Sequence, residues 1–151
     1  MTKPGRDYPQ RPIVGVGAVI FRRGEVLLVQ RGHAPSAGLW SVPGGAVKLG
    51  ETVAAALRRE VLEEVGLKVS VGPLVAVLDR VFRDEGGGVH YHYVLLDYLC
   101  RVVSGRLAAS SDAAQARFVP LAGLKALRLT RGTRAVIERA RALAQKGAGA
   151  A

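Results

Sequence analysis

The sequence predicts an α/β fold, in which a mixed sheet is packed between helices. Runs rich in β-branched and apolar residues lie before, between and after two segments with helical spacing of apolar residues. No repeat or linker divides the 151 residues, a length typical of one domain. A content of 49% hydrophobic and 23% charged residues is that of a globular chain. We therefore expect a single domain over residues 1–151.

The first forty residues predict an arm followed by a β-hairpin. Residues 1–12 are polar and contain three prolines, which favours an extended arm. Residues 13–21 form a strand-like run, and 25–31 form the returning strand after a turn at 22–24. Residues 32–39 contain a proline and two glycines and are expected to form a loop.

The segment 52–65 predicts an amphipathic helix. Thr52 is suited to cap its N-terminus, and Gly66 is suited to end it. The apolar stripe at helical spacing consists of Val53, Ala56, Leu57, Val61 and Val65. One face of this helix is therefore expected to lie against the sheet.

Two long strands follow the helix in the prediction. Residues 69–82 are rich in β-branched residues but are interrupted by Gly72-Pro73, so a strand is expected to restart near Leu74. Residues 90–103 form the longest strand candidate, and Cys100 within it is expected to be a buried thiol. As the single cysteine, it excludes an internal disulfide and a cysteine-rich zinc site.

The last part of the chain predicts a short strand and a second helix. Residues 106–114 are a loop of small residues, and 117–120 form a short strand. Residues 130–146 have the spacing of an amphipathic helix. The terminal residues 147–151 are expected to fray.

The net charge of +10 describes a basic surface, which attracts polyanions such as nucleotides, pyrophosphates or nucleic acid. The alternative is a generally basic surface without a particular partner. No apolar run is as long as a membrane span, and the N-terminus does not resemble a signal peptide. We expect a cytoplasmic protein with no membrane partner.

Acidic residues are concentrated in the first helix. Four of the twelve acids lie between Glu51 and Glu64. Glu60, Glu63 and Glu64 stand at i, i+3 and i+4, so their like charges repel by a few tenths of a kcal/mol per exposed pair. Mg²⁺ or Mn²⁺, which favour oxygen ligands, would offset this repulsion. The alternative is a surface helix with a solvated acidic face.

The run from Gly45 to Leu67 resembles the box that defines the Nudix hydrolase family. Its pattern is Gly, five residues, Glu, seven residues, then Arg-Glu-apolar-any-Glu-Glu-any-Gly-apolar, and every defined position matches. The preceding residues 39–45, Leu-Trp-Ser-Val-Pro-Gly-Gly, also resemble the approach to that box. The resemblance implies the family's αβα sandwich with a mixed β-sheet over residues 13–146.

The resemblance also implies a chemistry, the metal-dependent cleavage of a pyrophosphate linked to a nucleoside. Carried over by position, Glu60 and Glu64 resemble the main ligands of Mg²⁺ or Mn²⁺, and Glu63 resembles a further ligand. The backbone carbonyl of Gly44 or Gly45 would complete the set, because a glycine loop lets the main chain approach an ion closely.

The expected catalytic residues are Arg59, Glu63, Glu64 and Asp112. Arg59 is expected to orient neighbouring carboxylates rather than to contact substrate. Asp112 precedes a Phe-Val-Pro segment at 118–120 and is a candidate general base or extra metal ligand. The alternatives are that Asp112 is a loop cap, or that a glutamate of the box is the base.

Two residues are candidates for substrate binding. Arg31, at the end of the second strand, is placed to reach a phosphate, and its alternative is a surface arginine. Trp40 is a candidate for stacking on a base, and its alternative is an aromatic packed under the glycine loop. His90 and His92 lack metal-ligand spacing and are expected to be structural.

The pattern is most similar to the bacterial group of ADP-ribose pyrophosphatases, although it lacks the proline expected near Arg83. ADP-ribose is therefore the favoured substrate. The alternatives are (deoxy)nucleoside triphosphates, including oxidised ones, then the 5′ end of RNA, or a non-catalytic ligand sensor. Family members are often dimers, so the resemblance allows a homodimer.

Overall fold

A computed structural model describes residues 5–110 and 113–149, and in it a mixed sheet lies between two helices. The strands are β1 Ile13–Arg22, β2 Glu25–Arg31, β3 Trp40–Ser41, β4 Gly44–Ala46, β5 Leu67–Arg83, β6 Val89–Gly105 and β7 Ala113–Pro120. The helices are α1 Val53–Val65 and α2 Thr133–Gly149, with a 3-10 helix at Leu121–Ala126.

Strand β1 is the centre of the sheet. It pairs parallel with β6 and antiparallel with β4, and β6 pairs antiparallel with β5. It pairs with β2 only next to the turn, after which β2 continues with β3 and β7. The sheet therefore splays open beside β1, and the predicted α/β fold with a mixed sheet is confirmed.

The two faces of the sheet bury separate cores. On one face, α1 packs Leu57 and Val61 against Ile20 and Leu27. On the other face, α2 packs through residues such as Ile137 against Val19, Val26, Leu28 and Val75. The predicted burial of Cys100 is confirmed, since it is 2% exposed in the first cluster.

The ends of α1 are those expected from the sequence. The Thr52 hydroxyl accepts a hydrogen bond from the Ala55 N–H at 3.1 Å, and Gly66 adopts a left-handed conformation with φ 75°. The Gly66 N–H donates to the Leu62 carbonyl at 3.0 Å. Because both ends are fixed, the acidic residues of α1 hold a defined position beside β4.

The predicted bounds were most in error for three elements, β5, α2 and β7. The interruption at Gly72-Pro73 does not end a strand, because β5 continues through it with one extra residue opposite β6, a β-bulge that accommodates a proline without an N–H. Helix α2 begins at Thr133, after Gly132 with φ 86°, and it continues to Gly149 beyond the predicted end. Strand β7 begins at Ala113, four residues before the predicted start.

The described part of the N-terminal arm has no regular structure but is attached to the β5–β6 hairpin. The Tyr8 N–H donates to the His90 carbonyl at 2.8 Å, and the Tyr8 hydroxyl donates to Asp84 Oδ2 at 2.9 Å. The rings of Tyr8 and His90 stack with centroids 4.6 Å apart. Arg6 thereby reaches the rim of the cavity described below. None of the helices described is both long and apolar enough to cross a membrane.

Candidate active site

A cavity of about 190 Å³ lies on one face of the sheet, between β1, β5 and β6. Side chains alternate along a strand, so one face of β6 contributes Tyr93, Leu95 and Asp97 to its floor. Gly15 and Gly17 on β1 have no side chains that would fill the cavity. A Cβ on Gly15 would lie 2.6 Å from Leu95 Cδ2, and the cavity therefore depends on a strand without side chains at these two positions.

Arg59 organises the acidic end of the cavity. Its Nε donates to Glu51 Oε2 at 2.7 Å and its Nη2 to Glu51 Oε1 at 2.8 Å, a bidentate pair. Its Nη1 donates to Glu60 Oε1 at 2.8 Å and to Glu63 Oε2 at 3.2 Å. Its Nη2 also donates to the Ala46 carbonyl at 3.0 Å, so one guanidinium connects three glutamates to β4.

The ion pairs of Arg59 shift two pKa values in opposite directions. The hydrogen bonds from Arg59 lower the pKa of Glu51 from 4.5 to about 2, assisted by the Lys48 N–H at 2.8 Å. Hydrogen bonds to Glu51 raise the pKa of Arg59 further above its ordinary value. Both groups are therefore charged at neutral pH, and Glu51 fixes the loop before α1 while Arg59 orients carboxylates.

Two adjacent glycines face the carboxylates of α1. Glu60 is 8% exposed, and a Cβ on Gly45 would lie 2.2 Å from its carboxylate carbon. The Gly44 N–H donates to Glu64 Oε1 at 2.9 Å. The glycine pair therefore allows the main chain of β4 to lie directly against the acidic face of α1.

The pairing of β4 distinguishes the two candidate carbonyls. The Ala18 N–H donates to the Pro43 carbonyl and the Val47 N–H to the Val14 carbonyl, both at 2.9 Å. Hydrogen-bonded and non-hydrogen-bonded residue pairs alternate along an antiparallel ladder. The N–H and C=O groups of Gly45 therefore point toward β1, and those of Gly44 point away from it. The Gly44 carbonyl is thus the one directed toward the side of Glu64, and it is the better candidate for an ion ligand.

The donor set at this end fits a hard divalent cation. In the described part of the chain, no three His, Cys, Asp or Glu side chains are gathered at metal-binding distances, because Glu60 and Glu63 turn to Arg59 and Glu64 turns to Gly44. This end of the cavity contains three carboxylates and one backbone carbonyl, all oxygen ligands of the kind that Mg²⁺ and Mn²⁺ prefer. Glu60, Glu63, Glu64 and Gly44 would hold such an ion.

The opposite side of the cavity is basic. Arg31 is half-buried, its Nε donates to the Pro35 carbonyl at 2.9 Å, and burial lowers its pKa while the Glu64 charge opposes that change. Arg80 donates to the Arg131 carbonyl, and burial lowers its pKa as well. Among the described residues, neither arginine forms an ion pair with a carboxylate. Their charge therefore remains available for a phosphate.

Asp97 is a cavity residue that the sequence analysis did not identify. It is 6% exposed, and burial raises its pKa from 3.8 to about 6, with Arg80 acting in the opposite direction. Gly17 makes room for it, since a Cβ there would lie 2.2 Å from Asp97 Oδ1. A signal was present, because Asp97 follows Tyr93 and Leu95 on alternating positions and is the one acidic residue of β6.

The remaining predicted residues lie elsewhere or outside the described chain. Trp40 is 6% exposed in the second core cluster and does not line the cavity, which favours the packed-aromatic alternative. The guanidinium of Arg117 lies 4.8 Å from the centroid of its ring. Asp112 falls outside the described residues, so its role as general base stays a prediction.

Comparisons with known proteins identify the family of this chain. The model of the NUDIX domain matches residues 11–140. An ADP-ribose pyrophosphatase of Methanocaldococcus jannaschii is 36% identical over 116 residues, which cover 77% of this chain and 66% of that protein. A CTP pyrophosphohydrolase of Escherichia coli is 41% identical over 78 residues, which cover 51% of this chain and 56% of that protein.

The fold is also shared with solved structures. The crystal structure of a MutT NUDIX hydrolase from Burkholderia pseudomallei superimposes with a TM-score of 0.75 at 34% sequence identity, covering 86% of this chain and 98% of that one. The chain spans about two thirds or less of the two curated relatives named above. The domain match agrees with the glutamates, arginine and glycines gathered at α1 and β4. The chain therefore belongs to the Nudix hydrolase family.

Proposed function

We propose that this protein hydrolyses the pyrophosphate bond of a nucleoside diphosphate that is linked to another group, with ADP-ribose as the favoured substrate. One observation carries the proposal: the cavity has three glutamates at one end, and at the other end it has Arg31 and Arg80, which form no ion pair with any carboxylate of the described residues. That charge distribution suits a metal ion and a pyrophosphate bound side by side. The similarity to the M. jannaschii ADP-ribose pyrophosphatase supports the choice of substrate.

The reaction proposed is the attack of water on one phosphorus with cleavage of the P–O–P bridge, which converts ADP-ribose to AMP and ribose 5-phosphate. A bound divalent cation would neutralise phosphate charge and lower the pKa of a water molecule. Arg31 and Arg80 would bind phosphate oxygens, and Arg59 would keep Glu60 and Glu63 in place. Asp112 or a glutamate of α1 would take the proton from water.

A nucleoside triphosphate is the second candidate substrate. The E. coli CTP pyrophosphohydrolase, at 41% identity over about half of this chain, favours it. Both substrates contain a nucleoside joined to a pyrophosphate, so both require the acidic end of the cavity for the cleavage of a P–O–P bridge. They differ in the group attached beyond the second phosphate, which is a sugar in one and a phosphate in the other.

Exchange of one carboxylate tests the proposal. Glu64→Gln keeps the size of the side chain but removes a charge from the group that faces Gly44. We expect Mg²⁺-dependent turnover of ADP-ribose to fall on the order of a hundredfold or more, with an unchanged thermal unfolding midpoint. Glu85→Gln, in the exposed β5–β6 turn, is the matched control. Unchanged turnover in the Glu64 variant would remove this residue from the site.

The general base is tested in the same assay. Asp112→Asn is expected to lower turnover by about a hundredfold or more if Asp112 takes the proton. A loss of less than about tenfold would argue against that role and leave it to a glutamate of α1.

A further inference from the structure

Asp97 is a largely buried residue whose carboxylate opens onto the cavity and accepts no hydrogen bond from the part of the chain that the structure describes. Its residue is 6% exposed, and no other described residue donates a hydrogen bond to it. Arg80 is the charge that acts on it most directly, but Arg80 donates its hydrogen bond to the Arg131 carbonyl instead. Burial of a charged group without compensating donors is unfavourable, so a ligand that supplies donors would relieve that cost.

The surroundings of Asp97 are shaped around its carboxylate. Gly17 lies beside it in the register of β1 and β6, and any side chain at Gly17 would overlap Asp97 Oδ1. A Cβ on Gly17 would also lie 3.0 Å from Val42 Cγ2. Asp97 therefore lies in a small recess of the cavity floor and is open to the cavity.

The strand register gives the distance from Asp97 to the acidic end of the cavity. Gly17 pairs with Asp97 on one side and with Gly44 on the other. Neighbouring strands are roughly 4.8 Å apart, so the Cα atoms of Asp97 and Gly44 are separated by roughly 10 Å across the sheet. Tyr93 lies four residues earlier on β6, roughly 13 Å from Asp97 along the strand and therefore roughly 16 Å from Gly44. Asp97 is thus nearer than Tyr93 to the proposed phosphate site beside Gly44.

We propose that Asp97 accepts hydrogen bonds from the vicinal hydroxyls of the pentose attached to the phosphate bound beside Gly44, so that the cavity selects ribose over 2-deoxyribose. This inference rests on the proposed function for the position of the phosphate. A carboxylate is a pure acceptor with two oxygens, which matches two neighbouring hydroxyl donors. The sugar is the group joined directly to the phosphate, and the base, one bond further, is left for Tyr93 and Phe82.

Binding of reaction products tests the inference without requiring turnover. Two pairs of ligands are compared by calorimetry in the presence of Mg²⁺: ribose 5-phosphate with 2-deoxyribose 5-phosphate, and AMP with 2′-deoxy-AMP. The proteins are the wild type, Asp97→Ala and the isosteric Asp97→Asn. Asp79→Asn is the matched control, because Asp79 lies on β5 and is exposed, outside the cavity.

We expect the wild type and the Asp79 variant to bind the ribose member of at least one pair more tightly by about tenfold to a hundredfold. Both Asp97 variants are expected to bind the two members of that pair within about threefold of each other. Circular dichroism tests whether each variant is folded. If Asp97→Ala does not fold, the comparison is made with Asp97→Asn alone.

Two results would overturn the inference: no ribose preference in the wild type for either pair, including no detectable binding of either member, or a preference that survives in both Asp97 variants. Failure of the proposed function has a different signature. An Asp97-dependent preference for ribose in a protein that does not hydrolyse ADP-ribose would sustain the sugar site and refute the reaction.

Discussion

Gly45→Ala separates the position of a carboxylate from the stability of the fold. A Cβ at this position would lie 2.2 Å from Glu60 Cδ and 2.3 Å from Glu60 Oε2, where an ordinary carbon contact needs about 3.5 Å. The carboxylate must therefore move by about 1 Å or more. Because it is the end of a flexible side chain beside a cavity, we expect a loss of stability of about 1 kcal/mol or less.

The same displacement is expected to be costly for activity. A group misplaced by about 1 Å in an active site can lower turnover about a hundredfold, so Mg²⁺-dependent hydrolysis by Gly45→Ala should fall by about that factor. The assay combines initial rates over a Mg²⁺ titration with chemical unfolding of the same samples. Gly147→Ala, where an added Cβ meets nothing, is the control for a glycine replacement.

Gly44→Ala provides the contrast, because its Cβ would lie 1.9 Å from the Val16 carbonyl oxygen, a backbone atom. There the sheet itself must shift, and we expect a loss of about 3 kcal/mol or more. Full activity of Gly45→Ala at every Mg²⁺ concentration would refute the placement of Glu60 as an ion ligand. A loss of stability in Gly45→Ala equal to that in Gly44→Ala would refute the claim that the Glu60 side chain can move aside at low cost.

Three further predictions concern α1, the cavity floor and the phosphate site. Thr52→Ala should lower the free energy of unfolding by about 1 kcal/mol through loss of the cap to the Ala55 N–H, and Thr52→Ser should retain most of it; equal losses in both would refute the cap. The raised pKa of Asp97, about 6, means that the folded state holds this proton to higher pH than the unfolded state. The contribution of this group to the free energy of unfolding therefore falls as pH rises from about 4 to about 6. At pH 8 the free energy of unfolding of Asp97→Asn, measured in urea, should exceed that of the wild type by at most about 3 kcal/mol. A variant less stable than the wild type would contradict that sign. Arg31→Gln should raise KM for ADP-ribose about tenfold to a hundredfold by removing a charge-assisted hydrogen bond to phosphate, and an unchanged KM would exclude that contact.

The elements that could be predicted from the sequence are those specified by local signals. Helix α1 is bounded by Thr52 and Gly66, and both act as caps in the structure. The bonds from Arg59 to Glu60 and Glu63 join residues within one helical turn, and spacing alone places them together. The α/β class followed from the alternation of strands and helices for the same reason.

The elements that could not be predicted depend on distant parts of the chain. Pro73 predicts a strand end when taken alone, but β6 supplies a continuous partner and confines the disruption to a bulge. Asp97 becomes part of a cavity only because Gly17, eighty residues earlier, pairs beside it without a side chain. Trp40 is a residue that the sequence offered as a candidate for the site but that the fold places in the core. Its flanking residues do not indicate that it packs in the core cluster on the α2 side of the sheet.

The most direct test of the account is the hydrolysis of ADP-ribose with and without Mg²⁺ or Mn²⁺, beside CTP, dCTP, 8-oxo-dGTP, diadenosine polyphosphates and triphosphate-ended RNA as competing substrates. We expect metal-dependent conversion of ADP-ribose to AMP and ribose 5-phosphate, with the highest kcat/KM of the panel. Faster metal-dependent turnover of CTP would keep the chemistry and change the substrate. Absence of turnover across the panel, with ADP-ribose bound tightly, would contradict the account and indicate a ligand sensor.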